Sequence, residues 1–253
     1  MKFLHLFSTL SGLTLPFTAS AVQLFSNTGT TSGWSNIQTE ASGTVQQVTN
    51  VVREGSTALK MTQTYDSSYS GLYHSEVHAY NAYSQGDMRF YGFWFRLSEN
   101  WEFTPSQGFN IAQFIAQFPG TCDTYAPSTM VWIRGNQLYT RYKYGPLCGG
   151  PTTVNSAPLA TVEAGVWHKI VIQARWESNT NGYLKLWFDG NKVYEETGIR
   201  TTYNENSPFQ FRVGLYANTW PTGYVAGSQT FRQIWFDEIA YGTTFADADP
   251  SQW

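Results

Sequence analysis

Charge is scarce in this chain. Charged residues occupy 13% of its 253 positions, about half the share of an ordinary soluble domain. With 15 Lys and Arg against 18 Asp and Glu, the formal net charge is −3. That balance offers no basic surface for nucleic acid, so an anionic partner has to be held by a local cluster of Arg, Lys and His. Cysteine is nearly missing, and Cys122 and Cys148 are too few for a cysteine zinc site. There is no Gly-Xaa-Ser-Xaa-Gly elbow, no phosphate loop and no His-Glu-Xaa-Xaa-His. After the first residues no run reaches the ~20 apolar residues of a membrane helix. Long stretches of 3.6-residue apolar period are also lacking, which argues against a helical fold. Acid pairs on one strand face are missing too: Glu195-Glu196 and Asp237-Glu238 are adjacent and diverge. Glycoside hydrolysis by two carboxylates would need acids from separate strands.

The N-terminus carries Lys2, an apolar run from Phe3 to about Phe17 and the small-residue site Ala19-Ser20-Ala21. This pattern predicts a secretory signal over residues 1–21 and a secreted, extracellular chain from Val22. In that compartment Cys122 and Cys148 are expected to form one disulfide, contributing on the order of 3 kcal/mol by loop closure.

Aromatic residues make up 17% of the chain and suit pleated, half-buried surfaces. Turn signals every 8 to 12 residues separate candidate strands at Thr44–Val52, Thr57–Tyr65, Gly71–Tyr80, Met88–Leu97, Phe109–Phe118, Met130–Arg134 and Gln137–Tyr144. Further candidates are Val166–Trp176, Tyr183–Phe188, Lys192–Glu196, Phe209–Ala217 and Thr230–Tyr241. Asp189-Gly190 is the strongest hairpin signal. Residues 22–253 are expected to form one all-β domain, two antiparallel sheets packed as a jelly roll.

Three strands have unusually reactive faces. In Phe209–Asn218, Phe209, Phe211, Val213 and Leu215 point one way; Gln210, Arg212, Tyr216 and Asn218 point the other. His74, Glu76, His78 and Tyr80 share a face of another strand, the two histidines roughly 13 Å apart at the backbone and too far for an easy shared metal. Glu76 could fix the tautomer of one of them. On a third strand, Ile111, Gln113, Ile115 and Gln117 are expected together, the amides facing a groove. Arg134, Arg141 and Lys143 add positive charge nearby. His168, beside Ile170 and Ile172, reads as a structural histidine.

Phe211-Arg212-Val213-Gly214-Leu215-Tyr216-Ala217-Asn218 resembles the Phe-Lys-Ala-Gly-Xaa-Tyr-Xaa-Gln strand of jelly-roll alginate lyases. His74-Ser-Glu76-Val-His78 is similar to their Arg-Xaa-Glu-Xaa-Arg strand, with histidines for both arginines. Gln113 or Gln117 stands where their Gln-Ile-His strand falls, without the histidine. These departures point away from alginate. Trp167–Trp176, Gly182–Gly190 and Tyr91–Leu97 resemble heparin-lyase-like jelly rolls, and the whole chain is most similar to fungal glucuronan lyases of polysaccharide lyase family 20. The resemblance implies endolytic β-elimination on β-1,4-linked glucuronic acid. It implies Gln113, Gln117 and Arg212 as partners of the substrate carboxylate, with Tyr216 as base and acid assisted by His74 or His78. Glu76, Tyr80, Asn218, Gln210, Arg134, Arg141 and Lys143 would then bind the polymer. Ile234–Gly242 resembles the last strand of calcium-bearing jelly rolls, which implies a structural calcium ion at Asp237 with Glu40. The partner is then an anionic polysaccharide, with no organic cofactor, nucleic acid or membrane, and a monomer is expected. A non-catalytic lectin-like jelly roll, or a lyase of another uronic-acid polymer such as alginate, is the alternative.

Overall fold

The alternating pattern becomes sixteen strands in the computed structural model, which describes residues 21–104 and 106–252. All but Ala21 of the expected signal lies outside the described residues. In chain order the strands are β1 (Gln23–Asn27), β2 (Asn36–Thr39), β3 (Thr44–Val48), β4 (Ala58–Thr64), β5 (His74–Tyr83) and β6 (Met88–Leu97). Next come β7 (Gly108–Gln117), β8 (Tyr125–Arg134), β9 (Gln137–Tyr144), β10 (Thr152–Asn155) and β11 (Ala160–Thr161). The last are β12 (Trp167–Arg175), β13 (Gly182–Phe188), β14 (Asn191–Ile199), β15 (Phe209–Tyr216) and β16 (Phe231–Gly242). Helix among the described residues is confined to a 3₁₀ turn at Trp220–Thr222 and the single turn α1 (Phe245–Ala248).

Two eight-stranded antiparallel sheets form a jelly roll. One runs β14-β13-β12-β6-β16-β4-β3 with β1 beside β16; the other runs β10-β9-β8-β7-β15-β5-β2 with β11 beside β9. Side-chain alternation drives the packing. Tyr91, Phe93, Phe95 and Leu97 of β6 and Phe209, Phe211, Val213 and Leu215 of β15 are all buried between the sheets. Tyr83 stacks on Trp176 at 3.9 Å and on Phe209 at 4.5 Å, locking the sheets at that point. Trp176 Nε1 donates to the Tyr91 hydroxyl at 3.0 Å, so a buried indole donor is satisfied. Cys122 and Cys148 are bonded as expected. His168 accepts from Glu163 N and pairs with Asp189 through its other nitrogen, which fits a structural role.

Four register shifts interrupt the second sheet, and two of them shape the site. Between β7 and β8 the register shifts at Asn110/Ala112, and between β15 and β7 at Val213/Tyr216. An extra residue in a strand reverses the phase of its side chains. Ile111 therefore joins the core instead of the groove face where alternation placed it, and Asn110 takes the groove side.

Candidate active site

The outward face of the second sheet holds a cleft of about 800 Å³. Cross-strand pairing lays the side chains of this part of the sheet out in two rows. One row runs Tyr139, Trp132, Asn110, Tyr216 and His74 across β9, β8, β7, β15 and β5. The other runs Asn155, Arg141, Met130, Gln113, Arg212 and His78, from β10 to β5. The rows lie two residues apart on β8 and four apart on β15, because each register shift adds a residue. Gly214 sits in the wider part. A Cβ there would meet the Ser75 carbonyl oxygen at 2.4 Å and Glu76 Cα at 2.6 Å, so only glycine lets β5 approach.

His74 and Tyr216 are direct cross-strand partners, and their rings stack at 3.9 Å. Behind His74 stands Glu40, one residue past β2. Its Oε2 lies 2.5 Å from His74 Nδ1 and also accepts from His74 N at 3.1 Å. Burial alone would raise the Glu40 pKa; hydrogen bonds and charge from His74, with a bond from Gln38, outweigh it and hold the group below its ordinary value. An ionised carboxylate only accepts, so in the neutral imidazole of His74 the proton sits on Nδ1 and Nε2 carries the lone pair. Nε2 makes no hydrogen bond to a described residue. The Tyr216 hydroxyl likewise has no partner among the described residues, and burial, with the charges of Glu76 and Glu40, raises its pKa above the ordinary phenol value. The charge of Arg212 is answered elsewhere: Nη1 lies 3.7 Å from Glu76 Oε2.

Glu76, expected to bind substrate, is instead a buried hub outside the cleft lining. Its Cα and Cγ fill the space beside Gly214, and its Oε1 accepts from Gln113 Nε2 at 2.5 Å. Burial opposes its ionisation, but His74, His78 and Arg212 together hold its pKa down at about 2. Arg212 Nε donates to Gln210 Oε1 at 2.9 Å, and its guanidinium lies over the Tyr125 ring. His78 also leaves the candidate set: it is buried and absent from the cleft lining. Asn36 donates to its Nδ1 at 3.2 Å, which directs Nε2–H toward Glu76 Oε2, 3.6 Å away. Burial lowers its pKa and keeps it neutral.

Of the sequence candidates, His74, Gln113, Arg212, Tyr216, Asn218 and Arg141 line the cleft. Gln210 is engaged with Arg212 and does not line it. Gln117 sits at the exposed end of β7 opposite Tyr125, and Tyr80 is exposed on β5; both fall outside. Arg134 and Lys143 lie on β8 and β9 beyond the lining. Asn110, bonded by Asn218 Nδ2 at 3.0 Å, and the pair Trp132 and Tyr139 were not anticipated. The expected calcium pairing is not formed. Glu40 belongs to the cleft, whereas Asp237 lies on β16 of the other sheet and accepts from Arg53 N, Glu54 N and Glu238 N. Among the described residues no group of three or more His, Cys, Asp or Glu is placed to hold a metal ion.

A cleft with an imidazole, a phenol and amides on one face suits proton transfer on a uronic acid. A family profile described as Polysaccharide lyase matches residues 26–240. The chain belongs to that family. Among solved structures, an endo-β-1,4-glucuronan lyase from the fungus Trichoderma reesei is 52% identical to this lyase, over 92% of this chain and 100% of that one, with a TM-score of 0.89. More distant likenesses show the fold alone. A marine PL-14 alginate lyase from Aplysia kurodai is 11% identical over 87% of this chain and 99% of that one, at a TM-score of 0.59. A cellulose-induced protein is 13% identical over 87% and 97%, at 0.58. No curated protein matches the lyase in sequence.

Proposed function

We propose that this lyase cleaves β-1,4-linked glucuronan endolytically by β-elimination, with His74 as the base and Tyr216 as the acid. The stacking of these two rings at 3.9 Å, with Glu40 behind His74, carries the reading. In a β-1,4 glucuronan the C5 hydrogen and the C4 oxygen lie on the same side of the ring. Two adjacent groups on one face of a cleft can therefore serve both. The Nε2 lone pair of His74 takes the C5 proton, and the C–H electron pair forms the C4=C5 double bond. The C4–O4 bond breaks, and O4 leaves with the Tyr216 proton. Charge developing on the substrate carboxylate meets the second N–H of Gln113 and the Asn110 amide, with Arg212 beneath. A raised phenol pKa suits an acid at neutral pH, so the dual base and acid role expected of Tyr216 is divided between two residues. The 52% identity with a glucuronan lyase supports the substrate assignment.

Incubation with glucuronan, alginate and heparin, followed by near-ultraviolet absorbance of the unsaturated product, tests the reading. Glucuronan is expected to react, and Tyr216→Phe to lower kcat by roughly 10²–10⁴-fold. A retained rate in that variant overturns the acid assignment; product from another polymer instead overturns the substrate.

Secretion belongs to the same proposal, supported by the disulfide and the leader-like first residues, and a monomeric state is proposed with it. No helix of the described residues is long and apolar enough to cross a membrane. Calcium has no step in this chemistry. The residues expected to hold it do not fit, since Asp237 already accepts three backbone N–H groups and Glu40 is bound to His74 in the cleft.

A further inference from the structure

The catalytic pair occupies one half of the cleft, on β15 and β5. The other half, on β9 and β8, carries groups that the chemistry leaves unused. Trp132 and Tyr139 are cross-strand partners whose rings stack at 5.6 Å and 11° from parallel. They continue the row of Asn110, Tyr216 and His74. At about 4.8 Å per strand, Trp132 lies roughly 10 Å and Tyr139 roughly 14 Å from Tyr216 at the backbone. Trp132 lines the cleft and offers flat apolar surface to it; Tyr139, just beyond the lining, is half-buried likewise and extends that surface.

Arg141 stands in the neighbouring row, two residues from Tyr139 along β9 and on the same face. It too lines the cleft, beside Asn155 of β10. Unlike Arg212, it has no carboxylate partner among the described residues; its guanidinium rests against the Met130 thioether. A half-buried cation without a counter-charge is unfavourable until an anion completes it. Lys143 follows on the same strand face, beyond the lining.

We propose that Trp132, Tyr139 and Arg141 form a second uronosyl-binding site, two to three strands from the catalytic pair. There a pyranose of the same polymer stacks on the aromatic pair while its carboxylate meets the guanidinium. The proposal rests on the glucuronan lyase reading and adds where the chain is gripped beyond the scissile bond. One consequence is a minimum substrate length: oligomers too short to reach β9 gain nothing from the site.

Binding of glucuronan and of short glucuronate oligomers to the inactive Tyr216→Phe protein reads the site without turnover. In that background Arg141→Gln and Trp132→Ala are each expected to weaken polymer binding about tenfold and to leave binding of the shortest oligomers unchanged. Arg141→Lys should recover part of the loss. In the active enzyme the same changes should raise KM for polymer far more than they lower kcat, with unaltered melting temperatures. Equal losses on short and long chains, or no loss on polymer, would overturn the site while leaving the lyase reading intact. Should the wild type cleave a different polyuronate, the same comparison on that polymer decides the site independently of the glucuronan assignment.

Discussion

Glu40 decides which nitrogen of His74 is available. Its carboxylate accepts the Nδ1–H hydrogen bond, so the neutral imidazole presents a bare Nε2 and is steadied when it becomes charged. Glu40→Gln keeps the size and presents an amide that can hold either tautomer. The expected result is a kcat lower by roughly 10²–10⁴-fold, with little change in melting temperature and an altered imidazole nitrogen resonance for His74. An unchanged tautomer with unchanged kcat would show that the contact is only structural. Residue identity made His74, Tyr216 and Gln113 legible, because a phenol, an imidazole and an amide on alternating strand faces have few structural uses. Glu40 was assigned to a metal, since nothing local announces a partner that pairing brings from 34 residues away. A signal was present in Asn36, Gln38 and Glu40, whose alternation matches His78, Glu76 and His74 opposite them.

At the scale of elements, strand alternation carried most of the fold. Met88–Leu97 and Gln137–Tyr144 have the bounds their pattern predicts, and all four inward residues of β15 reach the core. The phase of β7 was not legible beyond Gln113, because the shift that turns Ile111 inward depends on its neighbours' register rather than on its own sequence. Asn110 went unnoticed for that reason. Short β1, β2, β10 and β11 are too brief to show a period. Gly214 tests how closely β15 and β5 must meet. In Gly214→Ala the new methyl confronts backbone atoms that cannot swing aside, so a loss of roughly 1–3 kcal/mol is expected, seen as a lower melting temperature. Activity should fall further than stability alone accounts for, because displaced Glu76 releases Gln113. Wild-type stability and activity in this variant would disprove the tight approach.

The whole molecule feels one concentration of negative charge at the far sheet. Glu238 sits at the β16 irregularity with φ 46°. Burial, then the charges of Asp237 and Glu54, push its pKa up to about 7 from an ordinary 4.5. The folded state thus holds a proton that the unfolded chain has released, and stability must decline as pH rises through that window. The decline should be at most about 3 kcal/mol, measured by melting in chelator from pH 4.5 to 7.5. Glu238→Gln should flatten it; an equally steep decline in the variant would place the cause elsewhere. The other sheet has a different weakness. β2 is four residues long, lies at the sheet edge and is joined to β5 alone, yet the segment that follows it delivers Glu40. Edge segments open at lower free energy than the body they border. Amides of Ile37 and Thr39 should therefore exchange with solvent before those of β7 or β15. Warming should switch the enzyme off several degrees before it melts, as an intact sandwich with His74 unsupported.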